Sequence, residues 1–238
     1  MFHDDLEKIR RSFLPDHHPD NPVVLHRNEI VRCTGSFACL TDQTRRDDFD
    51  AAVLELLGQL PLRIIATVID KSAMKTVLQE NDKRDPYGMS YRPILAKYGE
   101  FLEQCGATGN VTIESRGRKA DKVLAEVHTI ALEKGIQDRT GQFFKNVLSP
   151  ASLLLRAKSD NISGIQLADL LCYPMKAWLL EQIGVHGPHG RFHGLLMDKM
   201  KPCLSSHQMD GFSEYCYVLY PRRMQPSAIS DHAAMPTA

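Results

Sequence analysis

The chain has 238 residues, and its 29 basic and 29 acidic side chains give no formal net charge at pH 7. This length suffices for one large domain or two small ones with a substantial core. Because the charges balance, no long-range field directs the whole protein toward nucleic acid or a membrane, and a nucleic-acid partner would need a local basic patch.

The cysteines and apolar residues indicate a compartment. Six cysteines are present without any Cys-x-x-Cys pair, and the N-terminus has no apolar segment of the signal-peptide type. No run approaches the roughly 20 apolar residues that a membrane helix requires. We therefore expect reduced thiols in a cytoplasmic protein without a membrane partner.

The first 60 residues are predicted to be mainly helical. Apolar residues recur at helical spacing over residues 2–13 and again over residues 47–60. The proline-rich segment 15–22 indicates a loop. We predict a short extended piece over residues 23–31 and a helix start after Gly35.

Strands and helices alternate in the middle of the chain. The clearest strand is predicted over residues 62–70, which are β-branched and apolar on both faces and therefore favour a covered sheet. The elements that follow are a helix over 94–105 before Gly106, a strand over 111–114, a helix over 121–132 before Gly135 and a strand over 152–157. This alternation predicts an α/β layer with helices on the sheet.

A long helix follows over residues 159–178. Its predicted buried face consists of Gly164, Ile165, Ala168, Leu171, Cys172, Met175 and Leu179. Asp169 lies at the edge of that face, so we expect its carboxylate to be partly drawn into the protein. Pro174 removes an N–H and predicts a kink or an end of the regular turns near Leu170.

The C-terminal part has a weaker pattern. Glycine, proline and histidine dominate after Gly184, the aromatic segment 212–220 predicts a last strand or a cap, and residues 222–238 are predicted to be a disordered tail. No internal repeat is present. We therefore predict a single domain over residues 1–221.

Two acids are candidates for chemistry. Glu114 ends a predicted strand, at the edge where open α/β sheets bind ligands. With Asp169 it would form a divalent-metal site, because Mg²⁺ needs few carboxylates when substrate phosphates complete its coordination. The simpler alternative for Glu114 is a salt-bridged strand end, and for Asp70, which also ends a predicted strand, we favour a plain strand-end acid.

A cationic cluster surrounds these acids in the sequence. Arg116, Arg118 and Lys119 follow Glu114 directly, and Lys158 precedes the long helix. Lysine and arginine at such positions can hold a phosphate backbone without selecting a base sequence. The alternative is an ordinary solvated loop.

Histidines offer a further metal hypothesis. His26 lies near Glu29, and His186, His189 and His193 lie in the loop 186–193. Structural zinc sites normally have four preorganised ligands, which favours a surface loop for 186–193 and a partly buried strand histidine for His26. No P-loop, GxGxxG or GxSxG motif occurs, so nucleotide-hydrolase, dinucleotide and serine-hydrolase classes lose support.

Two segments resemble a known family. Residues 111–121 (VTIESRGRKAD) and 158–170 (KSDNISGIQLADL) resemble the domain of unknown function 3800 family, with weaker similarity at 25–30 and 64–71. The match spans about residues 1–182, which makes 183–221 a C-terminal extension. The resemblance implies a ribonuclease-H-like fold, a mixed sheet flanked by helices, and metal-dependent nuclease activity.

The resemblance also implies roles for individual residues. Glu114 would be the fourth-strand acid and Asp169 the last-helix acid of a site for Mg²⁺ or Mn²⁺, with Asp160 as a weaker helper. Family members begin with a strand carrying Asp-Glu-Ser-Gly, which this sequence lacks. Asp4 and Asp5 lie on a predicted helix and cannot replace it. We therefore expect an N-terminally incomplete domain without one anchoring acid.

Three hypotheses follow. The first is a protein derived from a metal-dependent nuclease: either the start codon is misassigned and the full gene carries the missing strand, or the chain is a truncated, inactive remnant. The second is a non-catalytic nucleic-acid-binding or protein-interaction module of a defence or mobile-element system. The third is a structural zinc protein that uses the histidine loop.

Overall fold

The structure, a computed structural model, describes residues 2–69, 85–182, 187, 191–204 and 217–220. Eight α-helices lie in these ranges: α1 (Phe2–Phe13), α2 (Arg27–Arg32), α3 (Gln43–Gln59), α4 (Pro86–Gln104), α5 (Arg118–Lys134), α6 (Gly141–Val147), α7 (Ser163–Gln182) and α8 (Arg191–Leu204). The strands are β1 (Ala66–Ile69), β2 (Gly109–Glu114), β3 (Leu148–Arg156) and β4 (Tyr217–Tyr220). Short 3-10 helices cover Gly35–Thr41 and Lys158–Asp160.

Local capping explains where several helices begin. Helix α1 has the predicted bounds, whereas α3 and α4 begin earlier than the apolar pattern predicts. Asp42 caps α3 by accepting a hydrogen bond from the Arg45 N–H at 2.8 Å. Asp85 caps α4 by accepting from the Tyr87 N–H at 2.8 Å, and Pro86 suits the first helical turn.

Some sequence predictions are wrong. The extended piece predicted over 23–31 contains helix α2, and helices α6 and α8 had not been predicted. Helix α2 has six residues, too few for a helical apolar period to be visible in the sequence. It is stabilised by tertiary contacts, including the burial of Ile30.

The strands form two separate parallel pairs, β1 with β4 and β2 with β3. Strand β1 is shorter than predicted, and β4 confirms a strand within the aromatic segment 212–220. The α/β class is confirmed. The mixed sheet that a ribonuclease-H-like fold implies is not seen among the strands that the structure describes, since both pairs are parallel.

Two hydrophobic clusters form the core. The first cluster joins α1, α2, α3, α7 and α8 with the residues around β1, and the second cluster joins α4, α5 and α6 with the start of β3. Leu196, Met197 and Met200 of α8 are buried in the first cluster. The part of the chain beyond the family resemblance thus contributes to the core.

Helix α7 lies beside a cleft of about 620 Å³ whose other wall is formed by residues 62–69. Leu171, Met175 and Leu179 are buried as predicted. Three small residues of the predicted buried face are instead exposed: Gly164, Ala168 and Cys172. They border the cleft, and the helix continues past Pro174 to Gln182.

Some predictions concern residues outside the described ranges: Asp70, His186, His189 and the tail 222–238. Within those ranges, no helix is both long enough and apolar enough to cross a membrane.

Candidate metal and nucleic-acid site

Glu114 occupies the last position of strand β2. The parallel register places it opposite Arg156, and the Ser115 N–H donates to the Arg156 carbonyl at 2.8 Å, which continues the pairing by one residue. The Glu114 carboxylate is largely shielded from solvent and lies 3.2 Å from Nη2 of Arg116. The predicted strand-end acid is therefore also salt-bridged.

Asp169 lies on α7 and caps another helix. Its Oδ2 accepts a hydrogen bond at 2.9 Å from the N–H of Arg27, the first residue of α2. A carboxylate at a helix N-terminus satisfies a free N–H and interacts favourably with the helix dipole. The two oxygens of a carboxylate can accept about four hydrogen bonds, so Asp169 keeps capacity for a further ligand.

Glu114 and Asp169 line the same cavity, together with His26 and Lys158. The cavity has a volume of about 20 Å³, which is large enough for one water molecule. The structure therefore brings together the two acids on which the metal hypothesis depends.

The charges of both acids also act on the thiol of Cys172. Surrounding protein atoms raise its pKa by desolvation, and the negative charges of Asp169 and Glu114 raise it further, while Arg116 opposes them. The strand end and the middle of α7 thus share one electrostatic environment, in which two carboxylates and one guanidinium interact with the same group.

Two other residues that line the cavity, His26 and Lys158, both contact Glu29. His26, which precedes α2, has Nδ1 at 3.2 Å from Oε1 of Glu29. Nζ of Lys158 lies 3.8 Å from the same oxygen. His26 is therefore the N-cap residue of α2 and not part of a strand. The charge of Lys158 is partly neutralised by Glu29.

Asp160 does not join the pair. It is exposed, and its Oδ2 accepts the Ala157 N–H at 3.2 Å within the 3-10 turn before α7. No group of three or more His, Cys, Asp or Glu side chains in the described part of the chain could hold one metal ion. The candidate ligand set is Glu114 and Asp169.

An ordered loop carries the predicted cations. Asp121 accepts hydrogen bonds from the Ser115 hydroxyl at 2.5 Å and from the Arg116 N–H at 2.8 Å, and these bonds lower its pKa. Arg118 and Lys119 follow in the first turn of α5 with exposed side chains. Arg116 forms a salt bridge with Glu114, so it is less available to bind a phosphate than the exposed Arg118 and Lys119.

A buried polar network holds the segment that precedes His26. Arg10 of α1 is fully buried, forms an ion pair with Glu7, and donates to Oδ1 of Asn161 at 2.9 Å and to Oε1 of Gln166 at 2.6 Å. The same Gln166 oxygen accepts the Leu25 N–H at 2.7 Å. Sequence reasoning missed this network, because an arginine on an amphipathic helix is normally expected to face solvent.

A second missed contact lies next to Asp169. The guanidinium carbon of Arg27 lies 4.1 Å from the centroid of the Tyr173 ring. This distance is typical of a cation–π interaction. Arg27 therefore contacts α7 twice, through its backbone at Asp169 and through its side chain at Tyr173.

Comparisons with protein-family models, curated proteins and solved structures found no match. The resemblance to the domain of unknown function 3800 family therefore stays a prediction. Function must be argued from the chemistry of the site, because a fold alone does not specify an activity.

Proposed function

We propose that the protein is a metal-dependent phosphodiesterase that acts on nucleic acid, built on a ribonuclease-H-like plan. One observation carries this proposal: Glu114 at the end of β2 and Asp169 on α7 line a single small cavity. These are the two acids that the sequence resemblance implies as ligands.

The donor set suits a hard divalent cation. Mg²⁺ is commonly bound by one or two carboxylates while water and substrate phosphates complete the octahedron, and Mn²⁺ accepts the same oxygen ligands. Two carboxylates can therefore hold one ion when a phosphodiester is also bound, although the ribonuclease-H-like plan adds an anchoring acid on a first strand that this sequence lacks. When bound, such an ion would polarise a phosphoryl oxygen and lower the pKa of a coordinated water molecule.

The chain's own cations would orient the substrate. Lys158 lines the cavity itself, and Arg118 and Lys119 are exposed in the first turn of α5. Their charges would position the phosphate backbone at the site without contacting the bases, so binding would not depend on the base sequence. Arg116 balances the charge of Glu114 in the free protein.

Cleavage of labelled DNA and RNA, assayed with Mg²⁺ and with Mn²⁺, tests the proposal through Glu114→Gln and Asp169→Asn. Each substitution should lower cleavage by at least about 100-fold, since even residues that only support a metal ligand contribute 10- to 100-fold. Both amides keep an oxygen that can accept the hydrogen bonds of Arg27 or Arg116, so folding should be retained. Glu126→Gln is the matched control, because Glu126 is exposed on α5.

Two results would contradict the proposal. One is wild-type rates in both amide variants. The other is the absence of cleavage by the wild-type protein with either metal ion.

A non-catalytic nucleic-acid-binding module is the second candidate, favoured by the exposure of Arg118 and Lys119 in the first turn of α5. In that case binding would persist in EDTA. Replacing either cation would weaken binding to all sequences alike. It would also reduce the slope of the logarithm of the binding constant against the logarithm of the salt concentration by about one.

A further inference from the structure

Tyr173 presents a large aromatic ring to solvent close to the candidate site. The residue is 46 % exposed, although most aromatic side chains of a folded domain are largely buried. It follows Asp169 by four positions on α7 and therefore lies on the same side of the helix, about 6 Å further along the axis. An exposed ring at this place calls for an explanation.

The ring is held in a fixed position by Arg27. The Arg27 guanidinium lies over the ring at 4.1 Å from its centroid, while the backbone N–H of Arg27 is bound to Asp169 at 2.9 Å. Arg27 therefore contacts α7 at both points, and its side-chain contact restrains the orientation of the ring. Because the guanidinium occupies one face of the ring, a ligand would stack on the opposite face.

The neighbouring charges suit an anionic polymer. Lys176 is exposed three positions beyond Tyr173, and Lys158 lies at the cavity that Asp169 lines. A flat aromatic surface bordered by cations is the combination that binds single-stranded nucleic acids.

We infer that Tyr173, supported by Arg27, is a stacking platform for an unpaired nucleobase, and that the substrate of the site is single-stranded nucleic acid. The inference rests on the proposed function for the nature of the partner and adds the class of strand. A base inside a duplex is covered on both faces by its neighbours, so only an unpaired base can stack on a side chain.

Fluorescence anisotropy with a labelled oligothymidylate of ten nucleotides and with a duplex of equal length tests the inference, with Ca²⁺ in place of Mg²⁺ to prevent turnover. The wild-type protein should prefer the single strand. Tyr173→Ala should weaken that binding by roughly 5- to 100-fold, which corresponds to the loss of one base–aromatic stack. Tyr173→Phe keeps the ring and should restore binding to within about twofold.

Tyr87→Ala is the matched control, because Tyr87 on α4 is also 46 % exposed and does not line the cavity. It should bind both probes as the wild-type protein does. In cleavage assays, Tyr173→Ala should raise KM for single strands and leave kcat nearly unchanged, as expected for a residue that binds without taking part in chemistry.

The inference is overturned if Tyr173→Ala binds the oligonucleotide as tightly as the wild-type protein, or if the wild-type protein prefers the duplex. If the protein binds single strands through Tyr173 but cleaves no substrate, the phosphodiesterase proposal alone is contradicted. A wild-type protein that binds neither probe would remove both.

Discussion

The two hydrophobic clusters are assembled in different ways. The second cluster draws its buried residues from one continuous stretch, from Tyr91 to Leu148. The first cluster combines buried residues from Leu6 to Met200 and is closed by α7 and α8. The candidate site lies where the two regions meet, because Glu114 ends a strand packed on the second cluster and Asp169 lies on a helix of the first.

The clusters also differ in their polar content. The second cluster includes a buried polar pair, in which the Tyr91 hydroxyl and Nδ1 of His128 are 2.7 Å apart. The first cluster borders the network of Arg10 and Gln166, which ties α1 and the segment before α2 to α7. The polar contacts of the first cluster thus join segments 141 to 156 positions apart, whereas the polar pair of the second cluster joins residues 37 positions apart.

Matched core truncations give the largest expected effect. Phe37 and Phe144 are fully buried in the first and second cluster, respectively, and replacing either with alanine should lower the free energy of unfolding by about 3–5 kcal/mol. Hydrogen exchange should show lost protection mainly in α4–α6 for Phe144→Ala and mainly in α1 and α3 for Phe37→Ala. Equal loss throughout in both variants would mean that the clusters unfold as one unit.

The Arg10 network should give the next largest effect. Arg10→Met removes the ion-pair partner of the half-buried Glu7 and one of the two donors to the Gln166 oxygen, and we expect a loss of about 3 kcal/mol in denaturant unfolding. Lys8→Met is the control, because the Lys8–Asp5 pair is exposed and contributes little. A loss no larger than that of the control would show that the network is not a stabilising device.

The same network predicts a pH dependence. Burial raises the pKa of Glu7, but hydrogen bonds and charges from Arg10 and His17 outweigh it and leave the pKa below the ordinary value of 4.5. A lowered pKa in the folded state contributes stability above the unfolded value, and this contribution is lost as the pH falls through the folded value. Glu7→Gln should therefore flatten the acid side of the stability profile.

The helix cap at Asp169 should give the smallest effect. Asp169→Ala should cost about 1 kcal/mol in thermal unfolding, because it leaves the Arg27 N–H without its acceptor, whereas Asp169→Asn should cost much less. Asp42→Ala on α3 removes a cap within its own helix and gives a reference of similar size. If Asp169→Ala were neutral, the carboxylate would have no structural role.

The sequence predicts what local chemistry determines. Helices α1, α4 and α5 follow from their apolar periods, and Glu114 and Asp169 follow from a strand end and a helix edge. Contacts between distant segments leave no such pattern. The caps and bonds that define α2 and bury Arg10 join residues 142 to 156 positions apart, so they are visible only in the structure.

The predicted face of α7 illustrates the same limit. Periodicity identified Leu171 and Met175 correctly but placed Ala168 inside, whereas it faces the cleft. Gln166 is buried instead, because it finds a donor in Arg10 and another in the Leu25 backbone. A helical period predicts which residues of α7 share a face. Whether a polar residue such as Gln166 is buried depends also on its hydrogen-bond partners.

The dependence of the first cluster on α7 also has a consequence during synthesis. Helix α3 ends at Gln59 and α7 ends at Gln182, so 123 further residues must be added before the N-terminal helices can meet α7. At about 5–20 residues per second, this delay lasts roughly 6–25 seconds. During that time the apolar sides of α1 and α3 lack the partner that finally covers them.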